Sequence, residues 1–222
     1  MDNGNDRNPR QEITTSRASK NHVMIVTDSN GRDLRTNLIK PEAHVTKETR
    51  YTIDEATKSI PKARSNSSVS DIVFMVGLND CVPNNCAPSD DAKDIQEKYF
   101  EMQMKYAQHF PNARQHVTAL PPMNEFCVEV NEKLQKLSKY TGSNYISTKA
   151  FLDRATGKLR ANVMVGKHYN EWGIRMLAKE LKKSLYSTAN IGNKALSQLI
   201  DNSWIVACPA TADHDLNAIH GA

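Results

Sequence analysis

Apolar and polar positions follow two rhythms along this chain. His22 to Thr27 (HVMIVT) is a short β-branched apolar run, the pattern of a strand buried on both faces. Asp28-Ser29-Asn30-Gly31 interrupts it, and Leu34 and Leu38, four apart, mark a helix-like stretch. A weaker strand is expected over 43–49, then a helix from Ile53 to Ile60, ended by Pro61. After a Ser-rich loop over 62–70, Asp71 to Val76 (DIVFMV) is the clearest central strand, and it ends in Gly77-Leu78-Asn79-Asp80. A polar loop over 81–90 follows. Ser89 then stands as the cap of a long amphipathic helix with Ile95, Tyr99, Met102 and Tyr106 on one face. That aromatic and Met stripe reads as core packing. Gln115 to Leu120 is the next strand, stopped by Pro121-Pro122, and Phe126, Val130, Leu134 and Leu137 mark a second amphipathic helix closing near Gly142. A short strand over Asn144 to Ser147, a strong helix over Gly173 to Leu185 and a further helix around 195–200 complete the pattern.

Strands alternating with helices imply βαβ units, a mostly parallel sheet and helices on both faces: a three-layer α/β/α sandwich. Residues 1–20 are polar and aperiodic and read as a disordered arm. Residues 21–188 form the α/β domain, and 189–222 carry a helix and a tail without period. No internal repeat is present.

Composition adds limits. The 222 residues are 39% hydrophobic and 24% charged, which fits a globular domain with a substantial core. No apolar run is long enough to span a bilayer, and MDNGNDRNPRQ has no secretory core, so the expected compartment is the cytoplasm. The formal charge of +4 and pI of about 8.8 are mildly basic, but Lys and Arg are dispersed and form no concentrated face of the kind that binds phosphates. Cys81, Cys86, Cys127 and Cys208 have no zinc-like spacing. They read as free thiols, with a Cys81–Cys86 disulfide open only in an oxidising milieu. No metal or cofactor is expected.

Ligand sites in open parallel sheets lie beyond the carboxyl ends of the strands. That rule selects three loops. Ser29 follows the first strand and opens a helix, where anionic charge is favoured; its ordinary reading is a helix cap. Asn79 follows the central strand and can donate to a developing oxyanion; its ordinary reading is an Asx turn. His168, before the last helix, can act as a general base; its ordinary reading is a surface histidine. Taken together, a hydroxyl, an amide and an imidazole at one sheet edge form the constellation of an acyl-transfer site.

These same segments carry a resemblance. HVMIVTDSNGRDL resembles the first block of the SGNH/GDSL hydrolases, in which a Gly-Asp-Ser turn holds the nucleophile. DIVFMVGLNDC is similar to their third block, Gly-x-Asn-Asp, at Gly77, Asn79 and Asp80. GKHYNEWG resembles their fifth block at Gly166, His168, Asn170 and Gly173. The resemblance spans about residues 22 to 187. It implies Ser29, beside Asp28, as nucleophile, His168 as base, and Asn79 with the Ser29 backbone N–H as oxyanion donors.

Three departures accompany it. Thr27 replaces the family's leading Gly. Arg50 or Tyr51 stands where the second-block Gly donates a backbone N–H. Val165 stands three residues before His168, where the family has the orienting Asp. Asp153 and Glu171 are the carboxylates that could replace that acid; otherwise the site is a Ser-His dyad.

The resemblance implies one of two functions. The first is a serine esterase acting on a small-molecule carboxylic ester, with a short or acetyl acyl group. The second is a non-catalytic module of the same fold that binds RNA or protein, as in retroelement- or virus-associated proteins. A flavodoxin-like nucleotide-binding sheet is disfavoured, because no Gly-rich phosphate loop follows the first strand.

Overall fold

The computed structural model describes residues 21–60, 69–83 and 88–187. The apolar runs form one parallel sheet: β1 (His22–Thr27), β2 (His44–Thr49), β3 (Val69–Met75), β4 (Arg114–Thr118) and β5 (Asn144–Ile146), in the order β2-β1-β3-β4-β5. The intervening helices are α1 (Ile53–Ser59), α2 (Leu78–Cys81), α3 (Ala92–His109), α4 (Glu125–Thr141) and α5 (Glu171–Ser187). An antiparallel hairpin, β6 (Met164–Val165) and β7 (His168–Tyr169), precedes α5. The architecture is the expected α/β/α sandwich.

Strand periodicity divides the core. Met24 and Val26 of β1, with Ile72 and Phe74 of β3, face α1, α3 and α4. Val23 and Ile25, with Val73 and Met75, face α5 and the 29–39 segment. The expected helical stripe is buried as core: Ile95, Tyr99, Met102 and Tyr106 are at most 1% exposed, and Tyr106 meets Phe74 edge to face at 5.1 Å between ring centroids. Chain order runs outward from β1 in one direction to β2 and in the other through β3, β4 and β5. The crevice at the β1/β3 switch point therefore opens at their carboxyl ends.

Several local expectations are corrected. The stretch after Asn30 is not one helix but two 3₁₀ turns, Ser29–Gly31 and Thr36–Leu38. Leu34 is buried and Leu38 is 41% exposed, so the two leucines do not share a face. Helix α3 is capped by Asp91 rather than Ser89, through a reciprocal capping box with Asp94. The β6–β7 hairpin was not signalled by any apolar period. The arm, the Ser-rich loop up to residue 68, the helix around 195–200 and the tail lie outside the described residues, while Val69 and Ser70, expected in that loop, open β3. So do Cys86 and Cys208, while Cys81 and Cys127 are buried free thiols. The Cys81 S–H donates to Cys127, and this bond, with burial, pushes the Cys81 thiol far above its ordinary range.

At the opposite, amino-terminal edge of the sheet, Asp71 is buried against Arg114 (2.7 Å) and His116 (3.1 Å). A carboxylate only accepts, so Nε2 of His116 donates to it, and Nδ1 lies 3.2 Å from the Ser184 hydroxyl. Burial alone would raise the Asp71 carboxyl, but the His116 hydrogen bond and charge and the Arg114 charge outweigh it, and its pKa is lowered. A depressed carboxylate contributes stability that is present above its unfolded value of about 3.9 and lost as pH falls through the folded value. Asp71→Asn is expected to cost about 3 kcal/mol at pH 7 in denaturant titration, by removing the buried carboxylate charge that Arg114 and His116 face. The gap to wild type should narrow below about pH 4.

Candidate active site

The turn after β1 is organised by Asp28. Its backbone is extended, its Oδ1 accepts from the Asn30 N–H at 2.8 Å, and its Oδ2 accepts from the Leu78 N–H at 3.2 Å. The capping role open to Ser29 in the sequence is thus filled by Asp28. Among the described residues, neither the Ser29 hydroxyl nor its N–H takes part in a hydrogen bond, and the side chain is half-buried. Asp28 is 1% exposed, and burial raises its pKa against the opposing Asn30 and Leu78 hydrogen bonds and the His168 charge.

Two glycines fit the site tightly. A Cβ on Gly31 would lie 2.0 Å from Thr27 Oγ1, so Thr27, which replaces the family glycine, requires glycine four residues later. Gly77 has φ 113°, which places Leu78 and Asn79 at the start of α2. The buried Tyr99 hydroxyl donates to the Val76 carbonyl just before this turn.

Asn79 is 4% exposed, and its amide does not form a local Asx turn. Nδ2 donates to the Tyr51 carbonyl at 2.9 Å, and Oδ1 accepts from Lys167 Nζ at 3.0 Å. An ammonium only donates and a carbonyl only accepts, so these partners fix the orientation of the amide. Asp80 turns the other way. Its Oδ2 accepts from the Ile53 N–H at 3.3 Å, holding the start of α1 against α2. Burial pushes the Asp80 carboxyl up to about 6, against the Ile53 hydrogen bond and the Lys98 charge.

Hairpin β6–β7 carries His168 to this rim. Cα atoms of β7 lie within 8 Å of those in the Ser29–Gly31 turn. The His168 ring is exposed, and it is the weakest of the influences that draw the Asp28 carboxyl down. The turns bearing Ser29 and Asn79 and the hairpin bearing His168 therefore stand at one edge, with Asp28 tying the first two and Lys167 tying the hairpin to α2.

The substitute acids are occupied elsewhere. Asp153 Oδ1 accepts from the N–H groups of Ala155 and Thr156 and from the Thr156 hydroxyl, which lower its pKa within its own turn. Glu171 pairs with Arg175 at 2.7 Å. Val165 is 71% exposed. Among the described residues, no hydrogen bond joins the His168 ring to a carboxylate.

Both second-block N–H groups are also committed. That of Arg50 donates to the Thr27 carbonyl at 2.8 Å, and that of Tyr51 to Glu55 Oε2 at 2.7 Å. The Arg50 guanidinium is held by Glu48, Thr49 and Ser59.

Beneath the turn lies a pocket of about 20 Å³, lined in part by Asp28, Asn30, Thr118 and Tyr169. Both amide atoms of Asn30 and the Thr118 hydroxyl are buried without a protein partner; the space and the polar lining suit one water molecule. A wider cleft of about 510 Å³, lined in part by Asp91, Lys93, Asn124, Phe126 and Lys133, opens between the starts of α3 and α4. Among the described residues, no cluster of three or more His, Cys, Asp or Glu is placed to hold a metal, and no helix is long and apolar enough to cross a membrane. Sequence reasoning missed Lys167 and Tyr99. Lys167 was marked only by its place beside His168, and Tyr99 was absorbed into the core stripe.

No family model matches the sequence, and no curated protein does. Solved structures do match. A GDSL-like lipase from Bacteroides thetaiotaomicron is similar with a TM-score of 0.60 at 12% identity, covering 75% of this chain and 88% of that one. A member of the lipolytic G-D-S-L family from Veillonella parvula gives 0.57 at 16%, covering 75% and 98%. A psychrotrophic esterase from Pseudoalteromonas, solved inhibited by monoethylphosphonate, gives 0.52 at 13%, covering 82% and 100%. The fold is that of the GDSL-type hydrolases.

Gly31→Ala is expected to lower stability by about 2 kcal/mol in thermal or denaturant unfolding, because the buried Thr27 side chain has nowhere to retreat. Asp80 yields a pH prediction. A raised carboxyl keeps its proton longer in the folded chain, so its contribution falls as pH rises from about 4 to about 6. Asp80→Asn should gain about 2 kcal/mol relative to wild type between pH 4 and pH 8, measured as the difference between their stability curves.

Proposed function

We propose that this chain is a serine esterase that cleaves a small carboxylic ester, with a short or acetyl acyl group. Ser29 Oγ attacks the ester carbonyl carbon while an imidazole nitrogen of His168 takes the hydroxyl proton. The carbonyl oxygen becomes an oxyanion, held by the Ser29 N–H and the Asn79 amide. The carbonyl re-forms, the C–O bond breaks, and His168 returns the proton to the departing alcohol. Water, deprotonated by His168, then attacks the acyl-serine, releasing the acid and restoring Ser29.

The observation that carries this reading is the Asp28 bridge. One buried carboxylate binds the turns that bear Ser29 and Asn79 and lies within reach of the His168 charge. Asp28 is then the charge that opposes the imidazolium, in place of the family acid. A backbone-anchored carboxylate that does not hydrogen-bond the ring orients it poorly, and the reaction should be slow. Loss of the orienting acid costs about 10⁴-fold in a complete triad.

Two observations favour the second reading, a non-catalytic module that binds RNA or protein. These are the commitment of the Tyr51 N–H to Glu55 and the absence of a hydrogen-bonded carboxylate at the ring among the described residues. One experiment separates the two. Wild type should react with a fluorophosphonate and release p-nitrophenol from p-nitrophenyl acetate, and Ser29→Ala should abolish both. A well-folded wild type that does neither, and that binds RNA with an affinity falling steeply with salt, would establish the module instead.

A further inference from the structure

We infer that Lys167 is a positioning residue of the oxyanion site, holding and polarising the Asn79 amide that receives the oxyanion. This inference rests on the hydrolase reading, because it concerns the donor that reading assigns to the transition state. Lys167 Nζ lies 3.0 Å from Asn79 Oδ1 and 3.4 Å from the Val82 carbonyl, both on or beside α2. The ammonium thus spans from the hairpin that bears His168 to the helix that bears Asn79, across a sequence distance of 88 residues.

Three consequences follow from that placement. Nδ2 gives one hydrogen to the Tyr51 carbonyl, and the cation on Oδ1 adds a second restraint against an amide flip, so the other Nδ2 hydrogen stays directed to further partners. Withdrawing charge through Oδ1 makes the Nδ2 hydrogens better donors, the cooperative strengthening expected along a hydrogen-bond chain in a low-dielectric setting. A positive charge next to the oxyanion site also favours the transition state more than the neutral ester. The need for such a group is visible in the same loops. The Tyr51 N–H donates to Glu55 and the Arg50 N–H to Thr27, so neither backbone donor of the second loop serves the oxyanion. Lys167 makes up part of that deficit by strengthening a remaining donor. Its own position is fixed by the turn at Gly166, where φ is 57°, and by the hairpin that brings His168 to the rim. Base and donor are thereby placed by one element.

The test compares wild type with Lys167→Met, which keeps the length and removes the charge, and with Lys167→Arg. Turnover of p-nitrophenyl acetate is resolved into kcat and KM. Lys167→Met should lower kcat by about ten- to a hundredfold, the range of a lost charge-assisted hydrogen bond, with KM and melting temperature little changed, and Lys167→Arg should recover part of it. Equal kcat in wild type and Lys167→Met, where wild type turns over through Ser29, overturns the inference and leaves the hydrolase reading standing. A second measurement does not depend on turnover. The Asn79 side-chain amide signals of nitrogen-15-labelled protein, identified by their loss in Asn79→Ala, should move in Lys167→Met; signals that stay in place overturn the inference. Failure of the hydrolase reading shows separately, as a wild type without Ser29-dependent turnover.

Discussion

Sealed from water between two turns, the Asp28 carboxylate accepts from the N–H groups of Asn30 and Leu78 and so fastens the end of β1 to the end of β3. A buried anion is costly unless its lone pairs are filled, so this one is stable only while both turns keep their shape. The left-handed Gly77 and the close contact between Gly31 and Thr27 are parts of the same condition. The geometry of the rim is set by this tie, and the helices outside it supply the packing that keeps it closed.

Accounting for backbone donors explains how the site departs from its family resemblance. Where a glycine would leave an N–H pointing into the pocket, Tyr51 directs its own to Glu55 at the head of α1, and its carbonyl receives Asn79. The Arg50–Tyr51 turn thereby supports the Asn79 side chain and keeps its own N–H groups engaged within the protein. Asp80 acts in the same direction, by binding the first N–H of α1. The rim is held together by contacts among its own loops.

Much of this was legible in the chain. Strands with β-branched runs, such as His22 to Thr27 and Asp71 to Val76, were placed correctly because burial on both faces leaves few other readings. The three loops bearing Ser29, Asn79 and His168 followed from the switch-point rule and were brought to one edge. The stretch with Leu34 and Leu38 misled, because two leucines four apart match a helical period by chance, while Asp28 and Gly31 impose a tight turn first. Ser89 was displaced as a cap by Asp91, which alone has a partner three residues on. Asp153 and Glu171 were near in sequence to His168, but carboxylates satisfy the closest donors, and theirs were in their own turn and helix. Lys167 could not be found from spacing, because its partner lies in a different loop and only the closed fold brings them together.

Asn170 closes the segment that carries His168 on itself and ties it to α5. Its N–H donates to the Val163 carbonyl, its Nδ2 to the Asn162 carbonyl, and its Oδ1 accepts from Gly173 at the head of α5. No strand of the main sheet passes through it. The segment from 162 to 170 is accordingly clipped at both ends, with Val163 and Tyr169 buried in the core, while the outward positions between them, Val165 and His168, can change side chain without remaking the packing beneath.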